Sequence, residues 1–255
     1  MLNRLLRRKK APSPIDQATI PDGRRVYAIG DVHGRNDLLL QLLDQIIKDD
    51  SERDNAESEI IFLGDLVDRG PDSAGVLDTA MRIREELGSV RFLMGNHEEV
   101  YLAAATGEEK SVRFFNRIGG RETILSYDIS MKEYIELDMV QLAERVRNLF
   151  PKEHIDFIAS FEDHITIGDY AFVHAGIRPG LPISEQRQKD LRWIREDFLT
   201  VQEAHEKVIV YGHTISEEVV EAGNRIGIDT GAYYSGKLTA LALQGTDRWY
   251  LDTAA

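Results

Sequence analysis

From Arg25 onward the chain repeats one pattern three times: a short apolar run, a glycine-containing loop, and a stretch with apolar residues at helical spacing. Val26 to Gly30 reads as a strand, followed by a loop through Arg35 and a helix near Leu38 to Ile47. The acidic stretch Asp49 to Glu59 reads as a loop, Ile60 to Gly64 as the second strand, and the residues after Pro71 as the second helix. Val90 to Met94 is the third strand, with a helix beginning near His97. Alternating strands and helices predict an α/β fold with a largely parallel central sheet. Ligands of such sheets gather at the carboxyl ends of the strands, where the loops at Gly30, Gly64 and Gly95 fall.

The remainder is less regular. Ser111 to about Phe161 reads as helical, an insertion able to cap or flank a site. A hairpin is expected across His164 to Val173, a helical stretch near Leu191 to Glu203, a strand at Val208 to Tyr211, and further strands from Arg225 to Tyr250. Residues 1–21 combine Arg7, Arg8, Lys9 and Lys10 with Pro12 and Pro14 and show no sustained periodicity, so they are expected to form a mobile basic arm. Residues 22–255 are expected to make one catalytic domain, with the helical insertion at about 111–161.

Composition narrows the chemistry. A formal net charge of -13 argues against nonspecific nucleic-acid binding, which depends on neutralising phosphates with Lys and Arg. The chain has no cysteine, so any metal must be held by nitrogen and oxygen ligands, which suits Mn, Fe, Zn or Mg. The basic start lacks the apolar core of a signal peptide and no later run is long enough to cross a bilayer, so no membrane insertion and a cytoplasmic location are expected.

Five strand ends carry metal-type ligands: Gly30-Asp31-Val32-His33-Gly34, Gly64-Asp65-Leu66-Val67-Asp68-Arg69-Gly70, Gly95-Asn96-His97-Glu98, Val173-His174-Ala175-Gly176 and Tyr211-Gly212-His213-Thr214. A single Asp after a strand is commonly a helix cap, and a single His is commonly structural. Here four of the seven histidines fall in these loops, each beside glycine or an acidic or amide partner, which chance does not readily supply.

On these motifs the sequence resembles the calcineurin-like metallophosphoesterases, and among them the phosphoprotein phosphatases, especially the small bacterial and phage enzymes. The resemblance runs from Ile29 to Gly245. It implies a sandwich of two β-sheets flanked by helices, with the metal site at the strand carboxyl ends. It implies that Asp31 and His33 hold one divalent metal, that Asn96, His174 and His213 hold another, and that Asp65 bridges them, most simply with Mn and alternatively with Fe or Zn. A bridging carboxylate suits two metals about 3.5–4 Å apart acting on one phosphate. The resemblance makes His97 the general acid, Asp68 its orienting partner, and Arg69 and Arg195 phosphate-binding residues.

The implied activity is hydrolysis of phosphate monoesters, with phosphoserine or phosphothreonine in proteins as the leading substrate. The alternatives are a nucleotide hydrolase like the symmetrical diadenosine tetraphosphatases and, in a different class, an inactive metal-binding scaffold. Some positions depart from the family pattern: Met94 stands where Arg often precedes Gly-Asn-His-Glu, and Ile118 stands where Asn is usual in Phe115-Asn116-Arg117-Ile118-Gly119-Gly120. Asp229-Thr230-Gly231 matches a recurring element and is read as a tight turn. His154, His164 and His205 match no motif.

Overall fold

A computed structural model describes residues 13–254. Its elements in chain order are α1 (Pro14–Gln17), β1 (Arg24–Ile29), α2 (Asn36–Ser51), β2 (Glu57–Phe62), α3 (Ser73–Leu87), β3 (Val90–Phe92) and α4 (Asn96–Ala105). A helical block follows: α5 (Glu109–Phe115), a π-helical turn at Asn116–Gly120, α6 (Arg121–Leu125), α7 (Met131–Glu136), α8 (Met139–Arg147) and α9 (Lys152–Ala159). The rest comprises β4 (His164–Ile167), β5 (Tyr170–Val173), α10 (Gln188–Trp193), α11 (Glu196–Leu199), β6 (Val208–Tyr211), β7 (Val220–Ala222), β8 (Arg225–Gly227), α12 (Ala232–Ser235), β9 (Thr239–Gln244) and β10 (Asp247–Asp252).

The strands form two mixed sheets of five, ordered β10-β9-β1-β2-β3 and β4-β5-β6-β8-β7. In the first, β1, β2 and β3 run parallel, while β9 and β10 join antiparallel. In the second, β5, β6 and β8 run parallel, with β4 and β7 antiparallel at the edges. The carboxyl-terminal halves of β1 and β2 and the whole of β5 and β6 are continuously apolar or aromatic because both of their faces are covered. Alternation along β1 shows this: Val26 and Ala28 join Ile61, Leu241, Phe172, Val210 and Ile226 in the core between the sheets. Tyr27 and Ile29 point the other way, against Leu39, Leu42 and Ile46 of α2 and Leu77 and Ala80 of α3. On the outer face of the second sheet, Val173, Ile209 and Tyr211 pack on Leu191 of α10, Phe198 of α11 and Ile194 between them.

Two sequence expectations are corrected. The acidic stretch 49–59 is not one loop, since α2 runs to Ser51 and β2 begins at Glu57. Asp49 stays helical because it accepts hydrogen bonds from Tyr27 Oη at 2.7 Å and from Arg53 one turn later. Asp50 receives the guanidinium of buried Arg25 at 2.6 Å.

The expected arm spans residues 1–21; Met1 to Pro12 lie outside the described residues, but Ser13 to Pro21 are packed against the domain. Ser13 caps α1, and Ile15, Ala18 and Ile20 enter the core between the sheets. Thr19 exchanges bonds with Asp169 in the β4–β5 turn, and the Ile20 amide donates to Gly245 O at 2.9 Å in the β9–β10 turn. A short apolar segment without periodicity gave no signal, yet it closes one end of both sheets.

Ile20 is fully buried. Ile20→Ala should therefore lower unfolding stability by about 2–5 kcal/mol, the usual loss for a core Ile. A urea titration with an unchanged m-value measures it; a loss below about 0.5 kcal/mol, the surface range, would show that this segment does not pack on the domain.

Candidate active site

Because β1, β2 and β3 are parallel in one sheet and β5 and β6 in the other, their carboxyl ends meet along one edge of the sandwich. The loops leaving them bring Asp31, His33, Asp65, Asp68, Asn96, His97, His174 and His213 together, each no more than 7% exposed. The backbone is bent to do this. Among the described residues, every non-glycine residue with positive φ is here: His33 (46°), Asp65 (51°), Asp68 (73°), Arg69 (68°) and His213 (61°). Such conformations cost of order 1–3 kcal/mol each and persist where the surroundings enforce them.

Asp65 is the hub. Its Oδ2 lies 3.6 Å from His33 Nε2 and 3.8 Å from His97 Nε2, while its Oδ1 lies 3.4 Å from His174 Nε2. The two carboxylate oxygens therefore address different imidazoles, and two potential metal-ligand groups share this one residue: His33, Asp65 and His97, and Asp65, His174 and His213. Asn96 Oδ1 joins the second at 3.0 Å from His174 Nε2. Asp31 stands beside these groups, its two oxygens accepting from the His213 amide at 3.1 and 3.0 Å.

The donor set fits divalent cations. His33 Nδ1 lies 2.8 Å from Val67 O and His174 Nδ1 lies 2.8 Å from Leu63 O. A carbonyl only accepts, so each Nδ1 carries hydrogen and each Nε2 lone pair faces the cluster, the arrangement usual for ligating histidines. Burial lowers the pKa of His33 and His174 and takes that of His213 down to about 2, which keeps these rings neutral. His213 Nε2 is buried with no hydrogen-bond partner, an orphan that a cation would satisfy. Burial pushes the Asp31 carboxyl well above the usual range, reinforced by Asp229 and Asp65. Asp65 is also opposed by burial, and what lowers its pKa is the positive charge of His174, His97 and His33 when protonated, so neutral rings leave the carboxylate unmatched.

His97 differs from the other rings. Its Nδ1 sits 2.6 Å from Asp68 Oδ2, and although burial disfavours the imidazolium, Asp65 and Asp68 raise its pKa overall. Asp68 is fixed in turn by Thr123 Oγ1, which donates to its Oδ1 at 2.6 Å. Arg69 donates to His97 Nε2 and His33 Nε2, each at 3.0 Å. A proton on His97 Nε2 would displace that contact, so Arg69 and the proton compete for one lone pair. Arg195 is exposed at the rim and reaches Thr214 Oγ1 at 3.5 Å.

Several contributors escaped the sequence reading. Glu98 is fully buried and accepts from the amides of Asp65 at 2.7 Å, Leu66 at 2.7 Å and Gly95 at 3.0 Å. Burial, with Asp65 nearby, pushes its carboxyl up to about 8. It staples the β2 loop to the β3 loop. The Gly119-Gly120 element also acquires a role: Gly119 O accepts from Arg69 N at 3.0 Å, and a side chain at Gly119 (φ 120°) would meet Arg69 Cγ at 2.7 Å. The turn read at Asp229 does form, with Oδ1 accepting from Gly231 N at 2.9 Å. Its Oδ2 is nevertheless buried without a partner, and burial lifts its pKa to about 6, so this residue also faces the cluster. His154 is buried and structural, held between Tyr127 Oη at 2.9 Å and Asp78 at 3.0 Å.

Two packed mixed sheets with a shared-carboxylate ligand cluster at their strand ends define a metallophosphoesterase architecture. The chain belongs to the calcineurin-like phosphoesterase family, whose pattern matches residues 24–243. It is 30% identical over 236 residues to bis(5'-nucleosyl)-tetraphosphatase PrpE [asymmetrical] of Anoxybacillus flavithermus, covering 84% of this chain and 88% of that one. It is 26% identical over 226 residues to serine/threonine-protein phosphatase 1 of Salmonella typhimurium, covering 87% and 93% respectively. A solved protein serine/threonine phosphatase of Saccharomyces cerevisiae superposes with a TM-score of 0.56 at 14% identity, covering 94% of this chain and 85% of that one, a likeness of fold. Family membership implies divalent metal ions and makes this chain a phosphoesterase. No helix among the described residues is long and apolar enough to cross a membrane.

Glu98→Ala would leave three buried amides without an acceptor. At about 1–3 kcal/mol for each orphaned donor, the variant should lose at least about 3 kcal/mol. Glu98→Gln keeps one acceptor oxygen and should fall between the variant and the parent chain. Denaturant unfolding ranks the three; equal stability of all would show that the staple is dispensable.

Proposed function

We propose that this chain hydrolyses phosphate esters at a dinuclear metal centre, with His97 donating the proton to the leaving oxygen. The observation that carries this reading is Asp65, which belongs to both ligand groups. Asp31, His33 and Asp65 would hold one cation, and Asp65, Asn96, His174 and His213 the other, with Mn as the leading metal and Fe or Zn as alternatives. When bound, such cations acidify water and offset charge on phosphate oxygens.

The chain's own residues do the rest. With a cation on His33 Nε2, Arg69 would lose its contact there and keep the one to His97 Nε2, and a substrate phosphate offers its planar fork a better, doubly charged acceptor. Its departure frees His97 Nε2 to carry a proton, while Asp68 keeps the ring oriented through Nδ1. Arg195, exposed at the rim beside Thr214, would meet the phosphate from there. His97 then protonates the leaving oxygen.

Two substrate readings each have an observation behind them. The His97–Asp68 pair, with its raised imidazole pKa, suits an alkoxide leaving group, as in phosphoserine and phosphothreonine, which cannot depart without a proton. Similarity to PrpE favours a dinucleoside tetraphosphate, whose leaving group is a phosphate and needs that proton less. An inactive scaffold has no support from a ligand set that is complete and converging.

His97→Asn should lower kcat by roughly 10²–10⁴ on a phosphoserine peptide, the usual worth of a positioned general acid. The loss should shrink on diadenosine tetraphosphate and become small on an aryl phosphate of low leaving-group pKa. Rates on the three substrates, with metal content checked in each sample, test acid catalysis and rank the substrates together. A uniform loss across them would make His97 a ligand or a support.

Mn-loaded protein should contain about two metals per chain, and Asp65→Ala should release both, because one carboxylate serves each site. Elemental analysis after desalting decides the point; two retained metals in the variant would refute a shared ligand.

A further inference from the structure

Arg195 also lines a cavity of about 300 Å³ formed mainly by residues of α10, α11 and the turn between them. Its size is at the lower end of small-molecule sites. Trp193 and Ile194 provide its apolar wall, and Lys189, Arg178 and Arg195 its cations. The cations are not equivalent. Arg178 is held by Asp190 at 2.6 Å and by Asp197, so its charge is fully engaged by two carboxylates. Lys189 and Arg195 pair with no carboxylate among the described residues. Glu196, which also lines the cavity, is likewise without a cationic partner and faces solvent.

Trp193 is held in place from behind. Its Nε1 donates to Glu99 at 3.3 Å, and its ring lies 6.4 Å from Phe114 at an interplanar angle of 33°. Glu99 is itself anchored by Arg192 at 3.1 Å. The indole is therefore a fixed aromatic surface in the wall of a cavity whose unpaired cations sit on either side of it in sequence. Arg195 links this cavity to the catalytic cluster by reaching Thr214, the neighbour of His213.

A fixed aromatic wall beside two unpaired cations fits a ligand with a flat ring and an anionic linker. A nucleotide has both, since every base offers a π-face for stacking and its phosphates can meet Lys189 and Arg195. An acidic peptide segment would meet the same cations and the same carboxylates, Glu196 and Asp197, but it has no ring for Trp193. We infer that this cavity is a subsite for the nucleoside end of a phosphoanhydride-linked nucleotide whose reacting phosphate lies between Arg195 and the cluster. The inference rests on the reading of the cluster as a phosphoester hydrolase, and it selects the dinucleotide over the phosphoprotein.

The chain has two tryptophans, so Trp249→Phe leaves Trp193 as the sole indole reporter. In that Mn-loaded variant, AMP should quench fluorescence saturably and bind at least about tenfold more tightly than ribose 5-phosphate, which lacks the base. Adding Lys189→Ala should weaken AMP binding about three- to tenfold, the range for one phosphate contact at a partly exposed site. Trp193→Leu in the otherwise native chain should raise KM for diadenosine tetraphosphate about tenfold while leaving turnover of a small aryl phosphate within about twofold. Equal affinity for AMP and ribose 5-phosphate, or tighter binding of a phosphoserine peptide than of AMP, overturns the nucleoside subsite. Base-dependent quenching without turnover of any phosphoester supports the subsite and refutes the hydrolase. Turnover without base-dependent quenching does the reverse.

Discussion

Burying a carboxylate among imidazoles in a low-dielectric edge is the constraint around which this molecule is arranged. Asp65 is almost inaccessible to solvent and lies within 4 Å of three ring nitrogens. An isolated buried charge is prohibitively costly, so this one has to be matched by positive charge from its surroundings. The histidines that burial keeps neutral cannot match it fully, and Asp31 and Asp229 add acidic groups to the same volume. Divalent cations, which family membership implies, resolve both difficulties together. The excess of acid over base in the cluster is therefore a property of a metal site, and it would be a fault in an ordinary core.

The rest of the site holds that arrangement in a strained shape. Left-handed backbone at His33, Asp65, Asp68, Arg69 and His213 turns each loop sharply after its strand, so that side chains from two sheets converge. Glu98 offsets part of the cost by accepting three amides from the loops it joins. Thr123 does the same for Asp68, and the turn at Gly119 for Arg69. The helical block 109–159 thus does more than flank the site. It carries the contacts that fix Asp68, and through it His97, and the backbone of Arg69.

Arg69 connects charge balance to reactivity. Its guanidinium lies against the Nε2 atoms of His33 and His97, the proposed ligand and the proposed acid. Tyr233 stands nearby, with the guanidinium carbon 5.1 Å from its ring centre and its edge toward His33. On the proposed reading, substrate phosphate would compete with His97 Nε2 for Arg69, so that binding it would make room for the His97 proton.

The five ligand loops, their place after apolar strands and the parallel order of the first three strands were legible in the sequence, because each depends on residues close together in the chain. Apolar runs too continuous for a one-sided sheet announce strands covered on both faces, and Asp-x-His-Gly or Gly-Asn-His-Glu announces ligands by type and spacing. The second sheet was visible only as scattered strands, and β7 not at all, because a three-residue edge strand has no periodicity to detect. The packing of Ile15 to Ile20 across both sheet ends, the extension of α2 by Tyr27 and Arg25, and the roles of Glu98, Gly119 and Asp229 also waited for the tertiary structure. Each is a contact between residues distant in sequence, or a matter of which of several acids is buried. Local composition names the donors and acceptors available, whereas burial and mutual distance, which exist only once the chain is closed on itself, decide which of them act.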